Sequence, residues 1–227
     1  MIRQKWIAAC VVGLALGAGA VARAQFSGTP DPSSFHDTSM LKPPAGQKVA
    51  IIAFEDLECP ACSTAHPIVQ QAVAQYHVPV VRYDFPLKMH IWSFDAAVFA
   101  RYLQDKVNPQ LADDYRTAVF AQQRGIASKD DLMGFTRRYM QQHGQAMPFV
   151  VDPGGVLANK VHADYALGER LNVTRTPTIV VVTQNKWQIV SGSEGGSNDM
   201  NRIFPMLAAA TAQTKSAATV ATNTRKK

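Results

Sequence analysis

The chain has 227 residues, of which 47% are hydrophobic and 18% charged: enough apolar side chain for one domain of ordinary size, and too much for a disordered protein. Three cysteines are too few for a disulfide-dense scaffold or an all-cysteine zinc site. Of the formal charge of +6, residues 1–24 carry +3 and residues 207–227 carry +4, which leaves −1 for residues 25–206. A basic face for nucleic acid is therefore not expected, because phosphate neutralisation needs clustered cations on the domain itself.

In chain order, Arg3 and Lys5 precede an apolar run from Trp6 to Val21, followed by Ala22, Arg23 and Ala24. A charged start, a short apolar stretch and small residues at the cleavage positions describe an export signal cut after Ala24, with an uncleaved anchor as the competing reading. It is the one segment apolar enough to meet a membrane, so a polytopic membrane protein is excluded. Cleavage removes Cys10 and leaves Cys59 and Cys62, in a compartment such as the bacterial periplasm where disulfides persist. Residues 25–47, with four prolines, read as an extended lead-in without a core of its own.

Val49 to Phe54 is an apolar run of strand length, the pattern of a central strand covered on both faces. Cys59 to about Tyr76 follows helical periodicity, and Val78 to Asp84 reads as a second strand. Strand, helix and strand in so short a span form a crossover unit with parallel strands. An all-helical stretch over residues 93–171 comes next: Ser93 to about Gln104, then Asn108-Pro109 to Gln123, Ser128 to about Gly144, and Asp152-Pro153 to about Leu171. Thr178 to Thr183 and Lys186 to Val190, joined across Gln184-Asn185, make a hairpin. A final helix capped by Ser197 runs to about Leu207, and residues 207–227 are a mobile Ala/Thr/Lys tail.

The chemistry concentrates at Cys59-Pro60-Ala61-Cys62, which follows a strand and opens a helix. Two cysteines three apart on one turn can close a disulfide with small backbone movement. At a helix start, free N–H groups and the helix dipole stabilise a thiolate on the first sulfur. The thiolate is the attacking species in thiol–disulfide exchange, and stabilising it also makes the disulfide a better oxidant. Cys62, one turn inside, is the less exposed resolving thiol. Competing readings are an inert disulfide and half of a zinc site, although zinc requires two more ligands that the scattered histidines do not supply at motif spacing.

The run from Phe54 through Cys59 and Cys62 to His66-Pro67 resembles the active-site segment of the DsbA-like thiol:disulfide oxidoreductases, in the thioredoxin superfamily. Pro67 matches that superfamily's helix-kinking proline. Downstream, Leu171 to Val180 resembles the family's loop and strand with a cis-proline. The resemblance implies a thioredoxin fold, α/β, with an inserted helical subdomain: residues 48–92 and 172–206 for the thioredoxin-like part, 93–171 for the insertion. It implies that Cys59 attacks, Cys62 resolves, and a cis Pro177 with Thr176 offers a docking edge for an extended client, a small β-augmentation. Phe85-Pro86-Leu87 with His90 resembles the family's lead into its inserted helices, read as architecture. Two departures stand out. The family's buried acid, six residues before the first cysteine, is Ala53 here; Glu55, Asp56 and Glu58 lie nearer, and strand alternation cannot turn all three toward the sulfurs. The dipeptide Pro60-Ala61 lacks the histidine of the family's strongest oxidants, with His66 as a partial substitute or a plain core histidine. Glu55, Glu58 and His66 are thus candidate modulators of the thiolate or of proton transfer.

The expected function is an exported protein dithiol oxidase with no cofactor beyond the Cys59–Cys62 pair and no metal. Its clients would be reduced or misoxidised exported proteins, its reoxidant a membrane partner of the DsbB or vitamin K epoxide reductase-like type. A periplasmic reductase or isomerase, or a thioredoxin-like binding module with incidental cysteines, are the alternatives.

Overall fold

The computed structural model describes Ser39, residues 41–190 and residues 199–224, with side chains to Thr214. The expected export signal, most of the lead-in and the expected Ser197 cap lie outside the described residues.

Four strands form one sheet in the order β2-β1-β3-β4: β1 (Val49–Glu55), β2 (Val80–Asp84), β3 (Thr178–Thr183) and β4 (Trp187–Ile189). β1 runs parallel to β2 and antiparallel to β3, and β3 and β4 make the hairpin. Every residue of β1 is buried, as its unbroken apolar run requires. Val49, Ile51 and Ala53 face α1 (Pro60–Tyr76) and α6 (Ile203–Thr224), meeting Val69, Ile203 and Leu207. Ala50, Ile52 and Phe54 face the other way, onto Phe85 and onto Leu167 of α5 (Val156–Arg170). Leu41, in the lead-in, is buried in that second layer, so this part of the lead-in shares the domain core instead of standing clear of it.

The helical insertion is α2 (Ser93–Tyr102), extended by a π-helical turn at Leu103–Val107, then α3 (Pro109–Gln122), α4 (Lys129–Gln142) and α5. Asn108 and Ser128 cap α3 and α4 by accepting from Leu111 N–H and Asp131 N–H. α5 starts later than Asp152-Pro153 suggests. Gly154 and Gly155 follow the proline, Gly155 takes a left-handed φ of 67°, and the helix begins at Val156. Asp152 still serves it from outside, its Oδ2 accepting from Ala158 N–H at 2.8 Å. α6 also outruns its expected end near Leu207 and continues to Thr224, as an alanine-rich sequence favours.

A buried ionic network ties the insertion to the sheet. Arg116 of α3 lies 2.7 Å from Asp84 of β2, Arg101 of α2 pairs with Asp84 at 2.6 Å and with Asp164 of α5, and Arg82 bridges Asp113 at 2.9 Å and Glu55 at 3.4 Å. The insertion's aromatic core, including Trp92, Phe99 and Tyr115, is continuous with Leu57, Cys59 and Cys62. The cysteines therefore sit where sheet, α1 and insertion meet.

Candidate active site

Cys59 is the N-cap of α1, with extended φ/ψ, and Pro60 occupies the first helical turn, where its missing N–H costs nothing. Both cysteines are free thiols. Cys62 is 2% exposed and Cys59 6% exposed, so the first sulfur is much less open than the sequence reading implies. What covers it is the loop before β3: Cys59 Sγ donates to the Thr176 carbonyl at 3.4 Å, across 117 residues of sequence. The Thr176-Pro177 bond is cis. Thr176 is itself only 7% exposed, and its carbonyl is occupied by the Cys59 thiol in this state. On another side, Pro60, Ser63 and Thr64 of α1 line a hollow of about 580 Å³ with Trp92, Phe120 and Ile126.

The two thiols are pushed in opposite directions. Cys59 falls from 9.0 to about 6, chiefly through a hydrogen bond from the Cys62 thiol; burial opposes this, and Thr176 and the N–H groups of Cys62 and Ala61 add to it. The helix start thus contributes as expected, but the neighbouring sulfur contributes more. Cys62 is raised well above 9.0, first by burial, then by its hydrogen bond to Cys59 and the Cys59 charge, with a smaller contribution from the Glu55 charge. The Thr176 hydroxyl is buried and has no fixed partner among the described residues, which leaves it available to an ionised Cys59.

The candidate modulators separate. Glu55 is buried beside Arg82, and burial raises its pKa despite the Arg82 and Arg116 charges; its own charge adds a minor push to the raised Cys62. Glu58 instead turns away from the sulfurs. Its Oε2 accepts from Trp92 N–H at 2.6 Å and Ser93 N–H at 2.9 Å, which fixes the start of α2. His66 is a core histidine, 2.9 Å from Thr117 Oγ1 and packed against Phe120, and burial lowers its pKa to about 4, so it is neutral near pH 7. Sequence reasoning named Asp56 only as one of three nearby acids, without its backbone contacts, and missed Gln123. Asp56 N–H lies 3.5 Å from Cys62 Sγ, and its carbonyl accepts Cys59 N–H at 3.1 Å. Gln123 reaches from beyond α3 to donate to the Leu57 carbonyl at 2.8 Å. No motif signals the Gln123 contact, which joins segments distant in sequence, whereas the Asp56 contacts are local and arise in the turn into α1. Among the described residues, no group of three or more His, Cys, Asp or Glu is placed to hold a metal ion, and no helix is long and apolar enough to cross a membrane.

A helix-opening thiol pair, a cis-proline loop on the first sulfur, and a four-stranded sheet with a helical insertion define a thioredoxin-fold protein. The sequence matches the Thioredoxin family over residues 45–188, more than half the chain, and the chain belongs to that family. No curated protein matches it closely enough to count as a relative. Among solved structures, it is similar to alpha-DsbA1 of Wolbachia pipientis, with 16% identity, a TM-score of 0.60, and coverage of 78% of this chain and 98% of that one. BdbD of Bacillus subtilis gives 18% identity, a TM-score of 0.56, and coverage of 81% and 96%. The thiol-disulfide exchange protein alpha-DsbA2 of Wolbachia pipientis gives 14%, 0.58, and 74% and 84%.

Proposed function

We propose that this chain is an exported thiol:disulfide oxidoreductase, working as a protein dithiol oxidase by mixed-disulfide exchange. The observation that carries this reading is the geometry of the pair, with Cys59 at the N-cap of α1 against the Thr176 carbonyl and Cys62 buried one turn inside, in keeping with a lowered Cys59 pKa and a raised Cys62 pKa. A stabilised Cys59 thiolate favours the reduced pair, so the Cys59–Cys62 disulfide gives up its bond readily to a client dithiol.

A client thiolate first attacks Cys59 Sγ of the disulfide, a client–Cys59 bond forms, and Cys62 leaves as thiolate and takes up a proton. The client's second thiolate then attacks its own sulfur in the mixed disulfide, and Cys59 leaves as a stable thiolate. Two electrons have moved from client to enzyme. Glu55, a buried acid close enough to act on Cys62, is the proposed source of the proton that Cys62 takes up. Thr176 and Pro177 form the docking surface against the sulfur, with the Thr176 carbonyl giving up Cys59 as the client arrives. The pair itself is the only redox cofactor. Clients are reduced or misoxidised exported proteins, and a membrane partner of the DsbB or vitamin K epoxide reductase-like type removes the electrons. The site of action is the periplasm or an equivalent exported space, in keeping with the export signal read in residues 1–24.

The test is oxidative refolding of a reduced, disulfide-containing protein by the oxidised enzyme. Cys59→Ser abolishes the acceleration on this account; undiminished activity rejects the assignment.

A further inference from the structure

Asp56 touches both cysteines through its backbone and neither through its side chain. Its carbonyl accepts Cys59 N–H, and its own N–H is directed at Cys62 Sγ. The peptide unit is held by an unusually complete set of bonds to the carboxylate. Oδ1 accepts from Glu58 N–H at 2.7 Å; Oδ2 accepts from Leu87 N–H at 2.6 Å and meets His90 Nδ1 at 2.7 Å. Leu87 and His90 belong to the loop between β2 and α2, and His90 N–H in turn donates to the Leu87 carbonyl at 3.0 Å. The carboxylate is fully buried, while the His90 side chain is 17% exposed. A buried carboxylate is expensive unless its lone pairs are met, so all three donors are needed to keep it where it is.

We infer that Asp56 and His90 are a positioning pair that aims the Asp56 N–H at Cys62 Sγ and so sets the rate of the step in which Cys62 carries negative charge. The inference rests on the exchange chemistry proposed above and extends it to residues outside the CxxC and cis-proline segments. The step is the same in either direction: the Cys59–Cys62 bond breaks with Cys62 leaving as thiolate, or forms by attack of that thiolate on a mixed disulfide. A donor on a sulfur favours its thiolate, and a thiolate that is better stabilised leaves faster. Cys62 has no helix start of its own to do this, being one turn inside α1 and buried. The lone N–H from residue 56 is therefore worth more there than another donor would be on Cys59. Attack by Cys59 on an outside disulfide does not change the charge on Cys62 and should not feel the pair.

The two steps separate when the reduced protein is mixed with oxidised glutathione. Cys59 thiolate first forms a glutathione mixed disulfide and expels one glutathione thiolate. Cys62, after giving up its proton by way of Glu55, then attacks Cys59 Sγ and expels the second. Acid quenching and intact-mass measurement follow the adduct. In His90→Ala and Asp56→Asn the adduct should form within about twofold of the native rate and decay roughly three- to tenfold more slowly, the range expected for a weakened hydrogen bond to a charged group. His90→Gln, which keeps a donor in reach of Asp56, should restore decay to within about twofold of native. Native decay in both His90→Ala and Asp56→Asn overturns the inference, as does equal slowing of both steps, which would indicate general disturbance. Should Asp56→Asn fail to fold, His90→Ala decides, because that side chain is partly exposed. A native protein that forms neither the adduct nor the Cys59–Cys62 disulfide sinks the exchange reading itself, and the inference with it.

Discussion

Replacing Cys62 by alanine perturbs Cys59 in a way that the structure sizes. The Cys62 thiol is the largest influence holding Cys59 near 6, ahead of Thr176 and of the N–H groups at the helix start. A hydrogen bond to a charged group is worth about 1.5–3 kcal/mol, which moves a titration midpoint by about one to two pH units. With a midpoint of about 6, roughly 90% of Cys59 is thiolate at pH 7; in Cys62→Ala the fraction should fall to between about half and a tenth. Thiolate absorbance near 240 nm, titrated in Cys62→Ala, reports this with no second thiol among the described residues. The reference midpoint comes from the pH dependence of Cys59 alkylation in the reduced native protein. Midpoints are the right quantity, because a more basic thiolate is also more nucleophilic and rates at one pH would understate the change. Thr176→Val should move the midpoint in the same direction and less far, because Thr176 ranks below Cys62 among the causes. An unmoved midpoint in Cys62→Ala, or a larger movement in Thr176→Val, would refute the reasoning.

Two further outcomes test the frame around the site. His66 has its pKa depressed from 6.5 to about 4, so its contribution to stability is full above about 6.5 and is lost as the pH falls through about 4. At pH 4.5 the loss should be on the order of 2 kcal/mol; urea unfolding at pH 7.5 and 4.5 should show a pH dependence that is smaller by that amount in His66→Gln, and an identical dependence in both proteins would contradict it. Gly168 of α5 lies so close to β2's end that an added Cβ would stand 2.5 Å from the Phe85 ring, and Gly168→Ala should therefore lower stability by about 1–3 kcal/mol in the same assay, with no loss predicting a looser α5 than described.

The strands and the CxxC helix were legible because each is written in local sequence. β1 is an unbroken apolar run since both of its faces are covered, and β3 repeats that pattern over the same span as expected. Asn108-Pro109 and Ser128 marked two helix starts because capping is a short-range bond. Asp152-Pro153 misled for the same reason in reverse: the aspartate does cap, but over a Gly-Gly turn that delays the helix by three residues. The site was legible as residue types and not as contacts. Cys59 and Cys62 announce themselves by spacing, whereas the burial of Cys59 depends on Thr176, 117 residues away. Glu58 looked like a neighbour of the sulfurs and instead secures the start of α2; Asp56 looked interchangeable with it and instead spans both cysteines. The difference lies in where the loop at residues 85–92 returns, which no local pattern encodes.

The central claim is that Cys59 is the sulfur that bonds to clients while Cys62 is its partner in the exchanging disulfide. Its most direct measurement is covalent trapping: Cys62→Ala, incubated at pH 8 with an oxidised model protein, should accumulate a reducible complex joined through Cys59, and this complex should be absent when Cys59 is also replaced. A chain that yields no such complex, or yields one independent of Cys59, would contradict the account.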